Sequence, residues 1–218
     1  MPACAFGPRV RHIDGMAANR GRPRVDRAGR ILAIGGCAAA LAAIVVSAAV
    51  AATSKTIVLT DARGDVSGAL DLTRVSLQRA SDGRLRAALS FAGKLTPRTL
   101  LAGSGPPGSA CVRIWTRPEA DPASMRPDRL ACVTARSDDE FRAGVYETVG
   151  AASPKRVASA SVKLTASGRS LILRFTQSSI GRPERFRFAV ESTRPGCERP
   201  ACIDTVPAGG APRTFRLR

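Results

Sequence analysis

Along residues 53–218, apolar and polar positions alternate with a period of two. Leu85, Ala87, Leu89 and Phe91 are separated by Arg86, Ala88 and Ser90. Leu171, Leu173 and Phe175 are separated by Ile172 and Arg174; Phe186, Phe188 and Val190 by Arg187 and Ala189; Phe215 and Leu217 by Arg216. This is the period of a strand with one face on a core. Turn residues fall between the runs. Ser81-Asp82-Gly83 predicts a hairpin joining a strand near residues 73–78 to one over residues 84–91, and Ser167-Gly168-Arg169 joins residues 161–165 to 170–176. A third pair, residues 111–115 with 130–134, is linked by the Pro-rich stretch RPEADPASMRPDR. Further strands are expected at residues 55–60 and near 141–147. The count is about ten short strands with no amphipathic helix, which predicts an all-β fold: an antiparallel two-sheet β-sandwich.

A different pattern precedes it. Residues 31–52 read ILAIGGCAAALAAIVVSAAVAA, 22 residues without a charge, after a flank holding Arg20, Arg22, Arg24, Arg27 and Arg30 against Asp26 alone. A basic flank followed by an apolar run predicts export, with the basic end kept in the cytoplasm. The chain thus divides into a basic leader (1–30), a hydrophobic export signal or single-pass membrane anchor (31–52) and an extracytoplasmic domain (53–218). Ala49-Val50-Ala51 fits an A-x-A cleavage site, which makes a signal peptide one reading. A spanning helix needs about 20 residues, which makes a retained anchor the other. Met16 is an alternative start to Met1. No Arg-Arg pair points to the twin-arginine route.

Cysteine usage fits that compartment. Cys4 and Cys37 fall in the leader and the apolar run, leaving Cys111, Cys132, Cys197 and Cys202 in the domain. An even number in an oxidising compartment reads as two disulfides, and four cysteines allow three pairings. Sequence neighbours are favoured, since each pair brackets a hairpin or tight loop. Closing the longer loop stabilises by about 3 kcal/mol on the chain-entropy model. A four-thiolate zinc site is disfavoured, because C-x20-C and C-x4-C are poor zinc spacings. Cys111 and Trp115 share a strand face, which predicts a buried Trp beside a disulfide.

Charge adds less. The whole chain carries +17, and the domain keeps 27 Lys and Arg against 15 Asp and Glu. That balance favours acidic partners. Its cations are spread over strand faces, with no run longer than two and no interleaved aromatics, which argues against nucleic acid. Gly103-Ser104-Gly105-Pro106-Pro107-Gly108 reads as a flexible surface loop, not a phosphate cradle, since no Gly-Lys-Ser/Thr follows.

The available chemistry is narrow. The sole histidine, His12, precedes the export segment, so the domain has no Ser-His-Asp or Cys-His pair and no histidine-ligated zinc. No Ser-x-x-Lys or Gly-x-Ser-x-Gly activates a serine. Paired carboxylates are the one route to hydrolysis, and one Trp and one Tyr would furnish a sugar cleft poorly. A non-catalytic domain is expected. The densest constellation is Asp61-Ala-Arg-Gly64-Asp65-Val-Ser-Gly68-Ala-Leu70-Asp71. Its carboxylates Asp61, Asp65 and Asp71, with glycines that let the loop fold back, could hold a structural Ca²⁺ through oxygen ligands. The alternative is an Asp- and Gly-rich turn without an ion. Asp138, Asp139 and Glu140 would complete the site from another loop or form a solvated turn. Arg63-Gly64-Asp65 spells an adhesion tripeptide, a match that three residues give by chance.

The strand followed by D-x-x-G-D-x-x-G-x-L-D, then V-S-L and D-G-R-L-R-A-A-L-S-F, resembles the start of secreted bacterial β-sandwich modules. These are the DOMON-like and glucodextranase C-terminal-like modules related to carbohydrate-binding domains. The pattern runs from Thr56 to Phe91. The resemblance implies a two-sheet sandwich, a structural calcium at Asp61, Asp65 and Asp71, and binding to sugar or a cell surface. The two disulfide loops lie outside it. Together these readings predict a binding or accessory module of a bacterial cell envelope, with a cell-wall polysaccharide or an envelope protein as partner. The alternatives are a structural membrane-anchored ectodomain and a carboxylate-based hydrolase.

Overall fold

Alternation along single strands becomes two apolar sheet faces packed on each other. The computed structural model describes residues 55–117, 126–148, 153–197 and 199–217. The leader, the export segment with its cleavage site, Met16, His12, Cys4 and Cys37 lie outside the described residues. Among the described residues, no helix is long and apolar enough to cross a membrane.

The chain first builds β1 (Thr56–Thr60), β2 (Leu72–Arg79) and β3 (Arg84–Phe91), then crosses over to β4 (Ser109–Trp115), β5 (Arg129–Ala135), β6 (Phe141–Glu147) and β7 (Lys155–Ser159). It returns to the first sheet as β8 (Ser161–Leu164) and β9 (Ser170–Thr176), and ends in the second as β10 (Arg185–Thr193), β11 (Ile203–Val206) and β12 (Arg213–Arg216). The sheets are β1-β2-β3-β9-β8 and β11-β10-β4-β5-β6-β7, and every pairing is antiparallel. On the edge of β10 away from β4, β12 pairs residues 185–188 and β11 pairs residues 190–193, end to end.

The predicted inward positions form the core. Leu85, Ala87 and Leu89 of β3 and Leu171 and Leu173 of β9 are fully buried, as are Val112, Ile114, Phe188 and Val190 of the facing sheet. Phe186, Phe188 and Phe215 pack ring to ring, with centroids 5.4–6.4 Å apart. Each such side chain contributes about 1.5–3 kcal/mol by leaving water. The two predicted hairpin turns form around Gly83 (φ 75°) and Gly168 (φ 69°), left-handed positions that a Cβ would strain.

Twelve strands replace the expected ten or so. The two additions are β7 and β11, neither of which shows apolar alternation. β7 is a mostly exposed edge strand. β11 alternates in burial, but a carboxylate, Asp204, holds one of its two buried positions.

Both disulfides join sequence neighbours, Cys111–Cys132 and Cys197–Cys202. The first links directly opposed residues of β4 and β5 within one sheet. Trp115 is buried, at 1% exposure, but it alternates with Ile114 and so lies with Cys111 on the face away from the inter-sheet core. The Arg113 guanidinium sits 5.2 Å from its ring centroid. The loop at residues 103–108 is docked: the Gly196 N–H donates to Pro106 O and the Gly108 N–H to Leu100 O.

Candidate functional site

β1 and β2 are joined by the Asp- and Gly-rich loop, and the loop reaches across to the second sheet. Gly64 (φ 88°) and Gly68 (φ 110°) supply the left-handed turns that fold it back. The Gly64 N–H donates to Asp71 Oδ2 at 2.8 Å, closing the loop on itself. The Ser192 hydroxyl of β10 donates to Leu70 O, and the Leu72 N–H donates to Asp204 Oδ2 of β11, each at 2.5 Å. Arg194 adds a bond to Ser67 Oγ at 2.9 Å. The start of the first sheet is thus tied to the C-terminal edge of the second.

This closure gathers carboxylates. Oxygens of Asp61, Asp65 and Asp204 lie within 4.8 Å of one another. Asp71 is 2% exposed and Asp204 3%. Asp71 Oδ1 and Asp61 Oδ2 are buried without a hydrogen-bond partner. Among the described residues, none of the four is in a salt bridge. Burial, aided by the charges of Asp65, Asp61 and Asp71, raises the Asp204 carboxyl to about 6 against the opposing Leu72 N–H. Burial also raises Asp61, against the Ala62 N–H, with Asp65 and Asp71 adding to the rise. The group is therefore short of positive charge and of hydrogen-bond donors.

Asp61 and Asp65 come together as the sequence suggested, whereas Asp71 lies outside the converging group and is felt by Asp61 and Asp204 through its charge. The partner from a distant segment is Asp204 rather than Asp138–Glu140. Those three residues form the exposed β5–β6 turn, where Glu140 pairs with Arg136 at 3.4 Å and Asp139 accepts from Ser137 at 2.5 Å. Nothing near Asp204 in the sequence marks it, since a lone acid between Ile203 and Thr205 reads as a solvated position.

A second surface stands apart from this one. The strands of the five-stranded sheet contain no Asp or Glu. Their outward positions carry Arg74, Arg84, Arg86, Lys163 and Arg174, interspersed with Ser, Thr, Ala and Gln. Arg86 lies directly opposite Arg174, with Gln78 on the other side of Arg86 and Ser161 beyond Arg174. Arg84 has Asp82 of the adjoining turn at 3.8 Å. Among the described residues, the other four cations have no carboxylate partner. Like charges directly opposite one another on a sheet face are destabilising.

Comparison of the chain with family models, with curated proteins and with solved structures finds no match.

Proposed function

We propose that residues 53–218 act outside the cytoplasm as a non-catalytic module that binds an acidic polysaccharide of a bacterial cell envelope. The observation that carries this reading is the acid-free outer face of the five-stranded sheet. It offers unpaired guanidinium groups and an ammonium at strand spacing, with hydroxyls between them. A linear polymer bearing carboxylates or phosphates relieves the Arg86–Arg174 repulsion and hydrogen-bonds the flanking Ser and Thr side chains. Charge rather than ring stacking supplies the affinity, which suits a domain with one Trp and one Tyr. Two disulfides fit an oxidising compartment, and the basic flank and apolar run at residues 20–52 supply the export route, cleaved or retained as an anchor. The resemblance from Thr56 to Phe91 to carbohydrate-binding-related modules points the same way.

Hydrolysis is less well served. A retaining glycosidase holds its carboxyls about 5–5.5 Å apart and an inverting one about 6.5–9.5 Å, across a sugar-binding cleft. Here three carboxylate oxygens lie within 4.8 Å, an arrangement that converges on a single point.

The test is co-sedimentation of the full chain, in mild detergent with EDTA, on polygalacturonate and on neutral dextran. Retention on the acidic polymer at low salt and release at about 0.5 M salt is expected, because the contacts are exposed and screened. Arg86→Ser and Arg174→Ser weaken retention several-fold, whereas Arg136→Ser on the β5–β6 turn leaves it unchanged. Equal retention on dextran, or unaltered binding by both sheet variants, rejects the reading in favour of a structural ectodomain.

A further inference from the structure

We infer that Asp61, Asp65, Asp71 and Asp204 form a site for one hard divalent cation of the size of Ca²⁺, which locks the β1–β2 loop to β11. This stands independently of the polymer-binding face.

Two observations carry it. The first is convergence: oxygens of Asp61 and Asp65 in the β1–β2 loop and of Asp204 in β11 fall within 4.8 Å of one another. Calcium binds oxygens at about 2.3–2.6 Å, so ligands on opposite sides of one ion are roughly 4.6–5.2 Å apart. Mg²⁺ dehydrates reluctantly and is seldom held by an all-protein cage, which favours the larger ion. The second is Asp71. It is 2% exposed; the Gly64 N–H holds one of its oxygens, and the other is buried with no hydrogen-bond partner. Its charge reaches both Asp61 and Asp204. A buried carboxylate oxygen without a donor costs free energy that a cation recovers. Asp61 Oδ2 is orphaned in the same way. Asp204 Oδ2 accepts the Leu72 N–H, a bond that fixes the orientation of its carboxylate.

The role follows from connectivity. Asp61 to Asp71 lie in the first sheet's opening loop, and Asp204 lies on an edge strand of the other sheet, paired to β10. An ion bound by both closes one end of the sandwich. With the ion removed, three converging carboxylates and the nearby charge of Asp71 are left without a counter-ion, and the loop is held by hydrogen bonds alone.

The experiment is calorimetric titration of the full chain, in mild detergent at pH 7.5, with CaCl₂ and separately MgCl₂ after chelation and desalting. Thermal melts in calcium and in EDTA accompany it. One calcium bound per chain, much weaker magnesium binding and a melting rise of several degrees are expected. Asp61→Asn, Asp65→Asn and Asp204→Asn each weaken calcium by at least about tenfold, since each removes a charged ligand. Asp138→Asn, on the exposed turn, does not. Should Asp204→Asn fold poorly, the Asp61 and Asp65 variants carry the test, because neither side chain is fully buried. Absence of binding heat with overlapping melts, or full affinity in the Asp61 and Asp65 variants, overturns the site. Polymer retention is measured in EDTA, so the two readings fail separately.

Discussion

Asp204 occupies an inward strand position where a sandwich ordinarily places Val or Ile. Its neighbours across the ladder make the substitution workable: Ser192 lies opposite it, and the Leu72 N–H satisfies one oxygen. The remaining cost is electrostatic and has a definite pH dependence. In the unfolded chain the carboxyl titrates near 3.8; in the folded, ion-free protein it titrates at about 6. Between those values the folded state holds a proton that the unfolded state has lost. Stability in EDTA therefore falls as pH rises from about 4 to about 7, by at most about 3 kcal/mol from this group. Asp61 is raised in the same direction and adds to the trend. Asp204→Asn removes the penalty while keeping an acceptor for Leu72. Denaturant melts in EDTA are expected to show the variant gaining on the native chain as pH goes from 4 to 7.5. An equal gap at both pH values would mean that the carboxyl is not perturbed. Asp204 was illegible in the sequence because it is 133 residues from Asp71 and no spacing rule connects them.

At the scale of elements, legibility followed apolar alternation. β3, β9 and β10 read directly because each places apolar residues at three or more successive alternate positions. β7 did not, since an edge strand with five mostly exposed residues has no inward face to declare itself. β11 did not, because Asp204 interrupts its pattern. The disulfides were legible by proximity, and their surroundings give them different roles. Cys111–Cys132 bridges two strands already paired by the β4–β5 ladder. Cys197–Cys202 ends one residue before β11, and Arg194 links it to the loop by bonding Cys202 Sγ at 3.5 Å and Ser67 Oγ at 2.9 Å. Breaking the second bridge therefore loosens the segment that presents Asp204. A Cys197→Ser/Cys202→Ser variant is expected to lose calcium affinity along with stability. A Cys111→Ala/Cys132→Ala variant loses more stability, about 3 against 2 kcal/mol on the chain-entropy model, yet binds calcium as before. Equal calcium affinity in both variants, read by titration below their melting temperatures, would uncouple the bridge from the site.

Over the whole molecule the two sheets divide the charge. All of the acids in the described strands belong to the seven-stranded sheet, including Asp204, Glu147 and Glu191, and the last two pair with Arg129 at 2.8 Å and Arg113 at 3.1 Å. The five-stranded sheet keeps cations alone. This segregation was not visible along the chain, where Arg74, Arg86, Lys163 and Arg174 sit far apart and look scattered; it arises because β8 and β9 return to extend β1-β2-β3. Its physical consequence is repulsion on one face, relieved by any anion able to span several side chains. At low ionic strength a polyanion is therefore expected to raise the melting temperature by several degrees, while chloride at the same charge concentration does little. At about 0.5 M salt the Debye length shrinks to a few ångströms and the gain disappears. An Arg74→Ser/Arg86→Ser/Arg174→Ser variant should melt no lower than the native chain without polyanion, having lost only like-charge contacts, and should gain little when the polymer is added. If the triple variant gains as much as the native chain, the polymer is reading total charge, and the five-stranded face has no special part in binding.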